Sequence, residues 1–154
     1  MRLAPRVRAL GDSPRLREKE ALYLAVATDR FEQLVAEADV LATSDDPAAL
    51  LTQLSRMIAT GAENVAVKSA LTAAEFDLRA AAPTVAADLT RQVANLLDRA
   101  QAAGVVRDDV VVDEVMALVA GAFAAIRHAG AESSRERSAH IARIILDGLR
   151  PRPA

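Results

Sequence analysis

The sequence predicts an all-α fold, a bundle of six helices, on three observations. The apolar residues, 52% of the 154, are mostly Ala, Leu, Val and Ile, with aromatics at only 3%; abundant Ala and Leu favour helix. Apolar positions recur at three-to-four spacing in successive segments, and Gly, Pro or capping residues punctuate those segments. The one β-branched cluster, Val110-Val111-Val112, is too short and too close to charges to read as a strand. At this length a single domain is expected, burying about two-thirds of the unfolded surface.

Residues 1–15 hold two prolines and a glycine without periodicity, and read as an irregular basic tail. From Leu16 to Ala42 the pattern is helical and long, with Leu24, Phe31, Leu34, Val35, Ala38 and Leu41 on one face. Some 25 residues make a rod of about 37 Å. The break Thr43 to Pro47 offers Asp46 as N-cap and Pro47 at the first helical position. Leu50, Leu51, Leu54, Met57 and Ile58 stripe the next helix, which is expected to run to about Gly61. Ala62 to Lys68 reads as a bend. Ala70, Leu71, Ala74 and Leu78 then suggest a short helix ending before Pro83, because the residue before a proline is pushed out of the helical region. Val85, Leu89, Val93, Leu96 and Ala100 carry a further helix to Gly104, where a left-handed cap residue would sit.

The stretch from Leu96 to Ile126 is read as the organising one. Val105 to Val112 is a charged, β-branched connector. The helix after it opens with Asp113 and Glu114, where the helix dipole favours acids. Between Val115 and Ile126 there is no charge. Val112, Val115, Val119, Phe123 and Ile126 form one stripe, and Leu118, Ala122 and Ala125 a second. A helix apolar nearly all round must be covered on more than one side, so the expected covers are the chain's own domain on one side and a second copy of the chain on the other. After Ala129-Gly130-Ala131, Ser133 with Glu136 fits a capping box. The last helix carries Ile141, Ile144, Ile145 and Leu149, and stops at Gly148 and Pro151. The interface expected with a second copy is Val115, Val119, Phe123, Ile126, Ile141, Ile144, Ile145 and Leu149. The domain is read as residues 16–150, with 151–154 a loose tail.

Composition narrows the function. The net charge of −2 hides an asymmetry: residues 1–19 carry +4 and the remainder −6. An acidic body is a poor surface for phosphate backbones. Cysteine is absent, which removes disulfides, thiol catalysis and thiolate metal sites. No apolar run reaches the roughly 18 residues of a membrane span, and the N-terminus lacks a signal-peptide core; a cytoplasmic protein is expected. Two histidines, His128 and His140, lie in different elements and fall short of the four or so ligands of a zinc site. No Gly-x-Ser-x-Gly elbow or Gly-rich phosphate loop is present. Neither catalysis nor a cofactor is expected. One chemical possibility is an apolar cleft between helices, with Met57, Leu71, Phe76, Val93 and Leu96 as walls and Arg56, Asn64 or Gln92 as polar contacts.

Three segments, in this order and spacing, carry a resemblance. Lys19-Glu20-Ala21-Leu22 opens the long helix, Gln101-Ala102-Ala103-Gly104-Val105-Val106-Arg107-Asp108-Asp109-Val110 precedes the penultimate one, and Leu146-Asp147-Gly148-Leu149-Arg150-Pro151 closes the chain. From Leu16 onward the chain resembles the C-terminal portion of a TetR-type transcriptional regulator. That resemblance implies a ligand-sensing and dimerisation domain whose last two helices pair with those of a second subunit as a four-helix bundle. It also implies a small apolar effector that moves the long helix, and so the spacing of two DNA-reading heads that match major-groove sites about 34 Å apart. The family's helix-turn-helix head ends in a Tyr-x-x-Phe turn, where this sequence has Ser13-Pro14-Arg15-Leu16. MRLAPRVRALGDSPRL cannot supply such a head, so DNA binding is expected only if one is provided upstream or by a partner. The alternatives are a helical scaffold without ligand and a headless dimerisation partner of a full-length regulator.

Overall fold

The computed structural model describes residues 14–71, 82–131 and 134–154. They form five helices: α1 (Pro14–Ala42), α2 (Ala49–Leu71), α3 (Pro83–Ala102), α4 (Val112–His128) and α5 (Arg135–Asp147). No strand occurs among the described residues. The expected short helix around Ala74 and Leu78, and the tail 1–13, lie outside them.

The hub is α2, not the α3–α4 stretch. It packs against each of the other four helices, whereas α3 and α4 meet only along a short length. Its stripe of Leu50, Gln53, Leu54, Met57, Ile58, Gly61 and Ala62 is buried. The helix also runs straight through the expected bend at 62–68. The glycine that looked like a stop has a different reason. A Cβ on Gly61 would fall inside the Phe123 ring of α4, against Cε1, Cζ and Cδ1. Gly61 is there so that the ring can rest on the backbone, and one interior glycine costs a helix only about 1 kcal/mol.

Around this hub, α1 buries Tyr23, Ala27, Phe31, Leu34 and Ala38, a three-to-four repeat along its inner face. On α3, Leu89, Val93, Leu96, Leu97 and Ala100 are buried. The helix α2 begins at Ala49, two residues after the expected first helical position Pro47; in the turn before it the Asp46 carboxylate accepts from the Ala48 N–H at 2.9 Å, as an aspartate in a turn does.

Both left-handed stops are glycines. Gly104 has φ 72° and Gly130 φ 61°. Each is followed by a Schellman bond, Val105 N–H to Ala100 O and Ala131 N–H to Ile126 O, both 3.0 Å. At the start of α5 the cap is Ser134, whose Oγ accepts from the Arg137 N–H at 3.3 Å; Ser133, the expected cap, lies outside the described residues. At the start of α4 the Glu114 carboxylate reaches back to the Val111 N–H at 3.0 Å, the acidic half of a capping box.

Candidate functional site

Two features stand out once the helices are in place: a buried polar pair between α1 and α2, and an uncovered apolar face on α4 and α5.

The polar pair arises because α1 and α2 lie side by side. The Tyr23 hydroxyl donates to the backbone carbonyl of Asn64 at 3.0 Å. Both residues are buried, at 8% and 5% exposure. Burial pushes the Tyr23 phenol above its ordinary value, since the phenolate would lose its water. The Asn64 side chain has less provision: its Nδ2 is buried and has no hydrogen-bond partner among the described residues. Three turns earlier on α2, Gln53 is fully buried and donates from Nε2 to the Leu34 carbonyl of α1 at 3.0 Å, while its Oε1 is also unmatched. Buried polar atoms are nearly always paired, so an unpaired donor needs a reason.

Of the cleft walls expected from sequence, Met57, Val93 and Leu96 are buried in the common core, at 2%, 0% and 2% exposure. Phe76 and the side chain of Leu71 lie outside the described residues. The polar candidates divide. Asn64 is inside. Arg56 is on the surface, paired with Glu37 of α1 at 3.4 Å, and Gln92 donates to Asp39 of α1. Tyr23 was missed because its neighbour Leu24 fits the apolar stripe better; spacing from Ala27 and Phe31 could have found it.

Leu96 also borders a cleft of about 380 Å³ with Asp45, Asp46, Pro47, Leu50 and Arg99. The Arg99 guanidinium already has its partners there. It donates to the carbonyls of Ala42 at 2.5 Å and of Leu41 at 3.4 Å, and to that of Ser44. It therefore caps the C-terminus of α1 and ties α3 to it.

The interface residues expected from sequence separate into three groups. Val115, Val119, Ile126 and Leu149 are buried in the chain's own core at 0–4% exposure, which leaves them no surface for a second copy. The chain's own helices α2 and α5 cover this side of α4. Phe123, Ile141 and Ile145 are half-buried against that core. Ile144 is 61% exposed. On α4 the exposed small or apolar residues are Ala117, Leu118, Ala120, Gly121 and Ala124.

The connector before α4 is held as a unit. The Gln101 side-chain amide donates to the carbonyls of Arg107 and Val110 at 3.1 and 2.9 Å. The Arg107 N–H donates to the Leu149 carbonyl at 2.9 Å. The Arg107 guanidinium makes a two-pronged contact with Asp109, which holds the Asp109 carboxyl below its usual range. On the opposite side, the Glu63 carboxylate of α2 bridges Arg30 of α1 at 3.0 Å and Arg135 of α5 at 3.5 Å.

Comparisons with known proteins cover most of the chain. Residues 46–151 fit the family described as "Transcriptional regulator SbtR-like, C-terminal domain". The crystal structure of the TetR transcription regulatory protein from Mycobacterium vanbaalenii is 34% identical, with TM-score 0.59, over 86% of this chain and 70% of that one. The chain belongs to the TetR family of transcriptional regulators. Among curated proteins none matches. In this TetR-family chain no described helix is long and apolar enough to cross a membrane. No group of three or more His, Cys, Asp or Glu residues suited to a metal occurs among the described residues.

Proposed function

We propose that residues 14–154 are the effector-sensing and dimerising body of a TetR-family regulator, acting in the cytoplasm as a homodimer that represses transcription. The observation that carries the dimer is the uncovered face of α4 and α5. Leu118 of α4 and Ile144 of α5 are exposed at 39% and 61%, and the small residues Ala117, Gly121 and Ala124 of α4 are exposed as well. Small residues let two helices approach closely while large ones fill the flanks, the geometry of a shallow-angle four-helix bundle. Light scattering on the purified chain tests this: a particle of twice the chain mass at micromolar concentration is expected, and a monomer refutes it.

In this reading the helices of residues 14–154 are all employed in the body, and operator sequence is read by a head joined to the N-terminal end of α1 or supplied by a partner. An electrophoretic shift of this chain on DNA upstream of its gene is expected to be weak and insensitive to sequence. Tight, sequence-selective binding refutes that part. The alternative, a scaffold without ligand, draws support from the close packing around Met57, Val93 and Leu96. Thermal-shift screening with apolar molecules separates the two, because a ligand that binds only the folded state raises its melting temperature.

A further inference from the structure

Three of the six large apolar side chains exposed among the described residues lie on one line of α1: Leu22, Val26 and Val40, at 65%, 42% and 70%. They belong to a stripe, Leu22, Val26, Asp29, Gln33, Ala36 and Val40, that is exposed at every position. Its alternating four-and-three spacing is that of a coiled-coil seam. The stripe runs along the side of α1 turned away from the buried row Tyr23, Ala27, Phe31, Leu34 and Ala38. It is hollowed in the middle, where Ala25, Val26, Asp29, Arg30 and Gln33 line a depression of about 490 Å³. Val40 stands about 27 Å from Leu22 along the helix, so a cover for both must be elongated and lie along α1.

The stripe has the same pattern in both directions: two apolar residues, two polar, two apolar. A two-fold interface requires such self-complementarity, since residue i meets j where j meets i. With two copies of α1 laid antiparallel about the point midway between Asp29 and Gln33, Leu22 meets the partner's Val40. Val26 meets the partner's Ala36, and Asp29 meets the partner's Gln33. A parallel pair would instead set Asp29 against the partner's Asp29, like charge on like. The Gln33 amide already donates to Asp29 of its own chain at 2.9 Å, and a polar pair within a seam fixes its register. The same register brings Arg15 and Lys19, in the first turns of α1, to the end of the partner's α1, which Asp45 and Asp46 follow. Opposite charges and opposite helix dipoles then face each other.

We propose that this stripe is a second self-association surface, through which α1 pairs antiparallel with α1 of another copy. It does not rest on the α4–α5 interface proposed above; where that dimer forms, pairing through α1 joins dimers into tetramers. At one helix's width of about 10 Å, the stripe covers about 270 Å² per chain, well below the ~800 Å² of a stable interface. The contact is therefore weak, and forms only well above micromolar concentration.

The chain has no cysteine, so an introduced thiol is unique. Leu22→Cys and Val40→Cys, each alone and the two mixed, are treated with bismaleimidoethane at millimolar concentration. The mixture is expected to give at least about tenfold more cross-linked chain than either protein alone, because only unlike positions meet. In sedimentation equilibrium from micromolar to millimolar concentration, the native chain is expected to show an added association step. Leu22→Lys and Val40→Lys are each expected to keep the native melting temperature and to raise the dissociation constant of that step at least about tenfold. Efficient cross-linking of Leu22→Cys to itself means parallel pairing, and overturns the proposal. So does loss of the step in Leu22→Lys but not in Val40→Lys, which means a cover confined to the start of α1, as a head joined there would be. A native mass that does not rise over this range overturns it too, and leaves the α4–α5 dimer standing.

Discussion

The Phe123 ring of α4 lies on the backbone of Gly61 in α2, so closely that a single methyl group between them has no room. Gly61→Ala is therefore expected to be destabilising. Overpacking costs about 1–3 kcal/mol, against a gain of up to about 1 kcal/mol from replacing a mid-helix glycine. In a Phe123→Ala background the ring is gone and the sign reverses, so the same Gly61→Ala change stabilises by up to about 1 kcal/mol. Urea unfolding of the four proteins of this cycle measures both signs.

Ile144 of α5 points away from the core, at 61% exposure. In the proposed dimer, Ile144→Glu is expected to leave the chain folded, with unchanged helical circular dichroism, and to raise the dissociation constant by about tenfold or more, as a charge placed in a desolvated interface does. Leu118→Glu should act alike. Val119→Glu should instead prevent folding, since Val119 is 4% exposed inside the chain. Sedimentation velocity together with circular dichroism separates these outcomes.

Arg99 joins α3 to the last carbonyls of α1. Arg99→Met keeps the stem and removes the donors, and is expected to lower stability by about 1–2 kcal/mol, the range for bonds to a charged group. Protection of the amides of the last turn of α1 should fall in hydrogen exchange, while α5 is unaffected.

Tyr23 contributes to the alkaline decline of stability. Its phenol titrates above the ordinary 10.0 because it is buried. A raised pKa in the folded state means that the stabilisation is fully present below pH 10 and is lost as pH rises through the folded value. Tyr23→Phe is expected to lose about 1 kcal/mol at neutral pH with its hydrogen bond to Asn64. It should also remove this component of the alkaline decline. Chemical unfolding of both proteins from pH 7 to 11 gives the difference curve.

These residues also mark what could be read from the sequence and why. Gly104 and Gly130 end their helices with positive φ, and Asp46 caps the turn before α2, because these are local matters settled by backbone conformation and a neighbouring side chain. The long α1 and the capped connector beginning at Gln101 followed for the same reason. Gly61 misled, since a glycine that ends a helix and one that admits a ring look alike until the ring's position is known. The α4 stripe is legible only in part for a related reason. Periodicity shows that Val115, Val119 and Ile126 share a face, but only tertiary packing tells whether that face meets α2 and α5 or another chain. The role proposed for Ala117, Gly121 and Ala124 is not legible in hydrophobic spacing, because close approach between helices depends on the absence of bulk, which hydrophobicity does not register. Asn64 was named as a polar contact, but its unmatched donor is visible only where the folded chain withholds a partner.

The described side chains of α1 from Pro14 to Leu22 are all exposed, and burial begins only at Tyr23. Pro14 thus stands nine residues along the helix from Tyr23, about 13 Å. A tilt of about 10° about Tyr23 would displace Pro14 by about 2 Å at that length, so a small change in the seating of Tyr23 grows toward the start of α1.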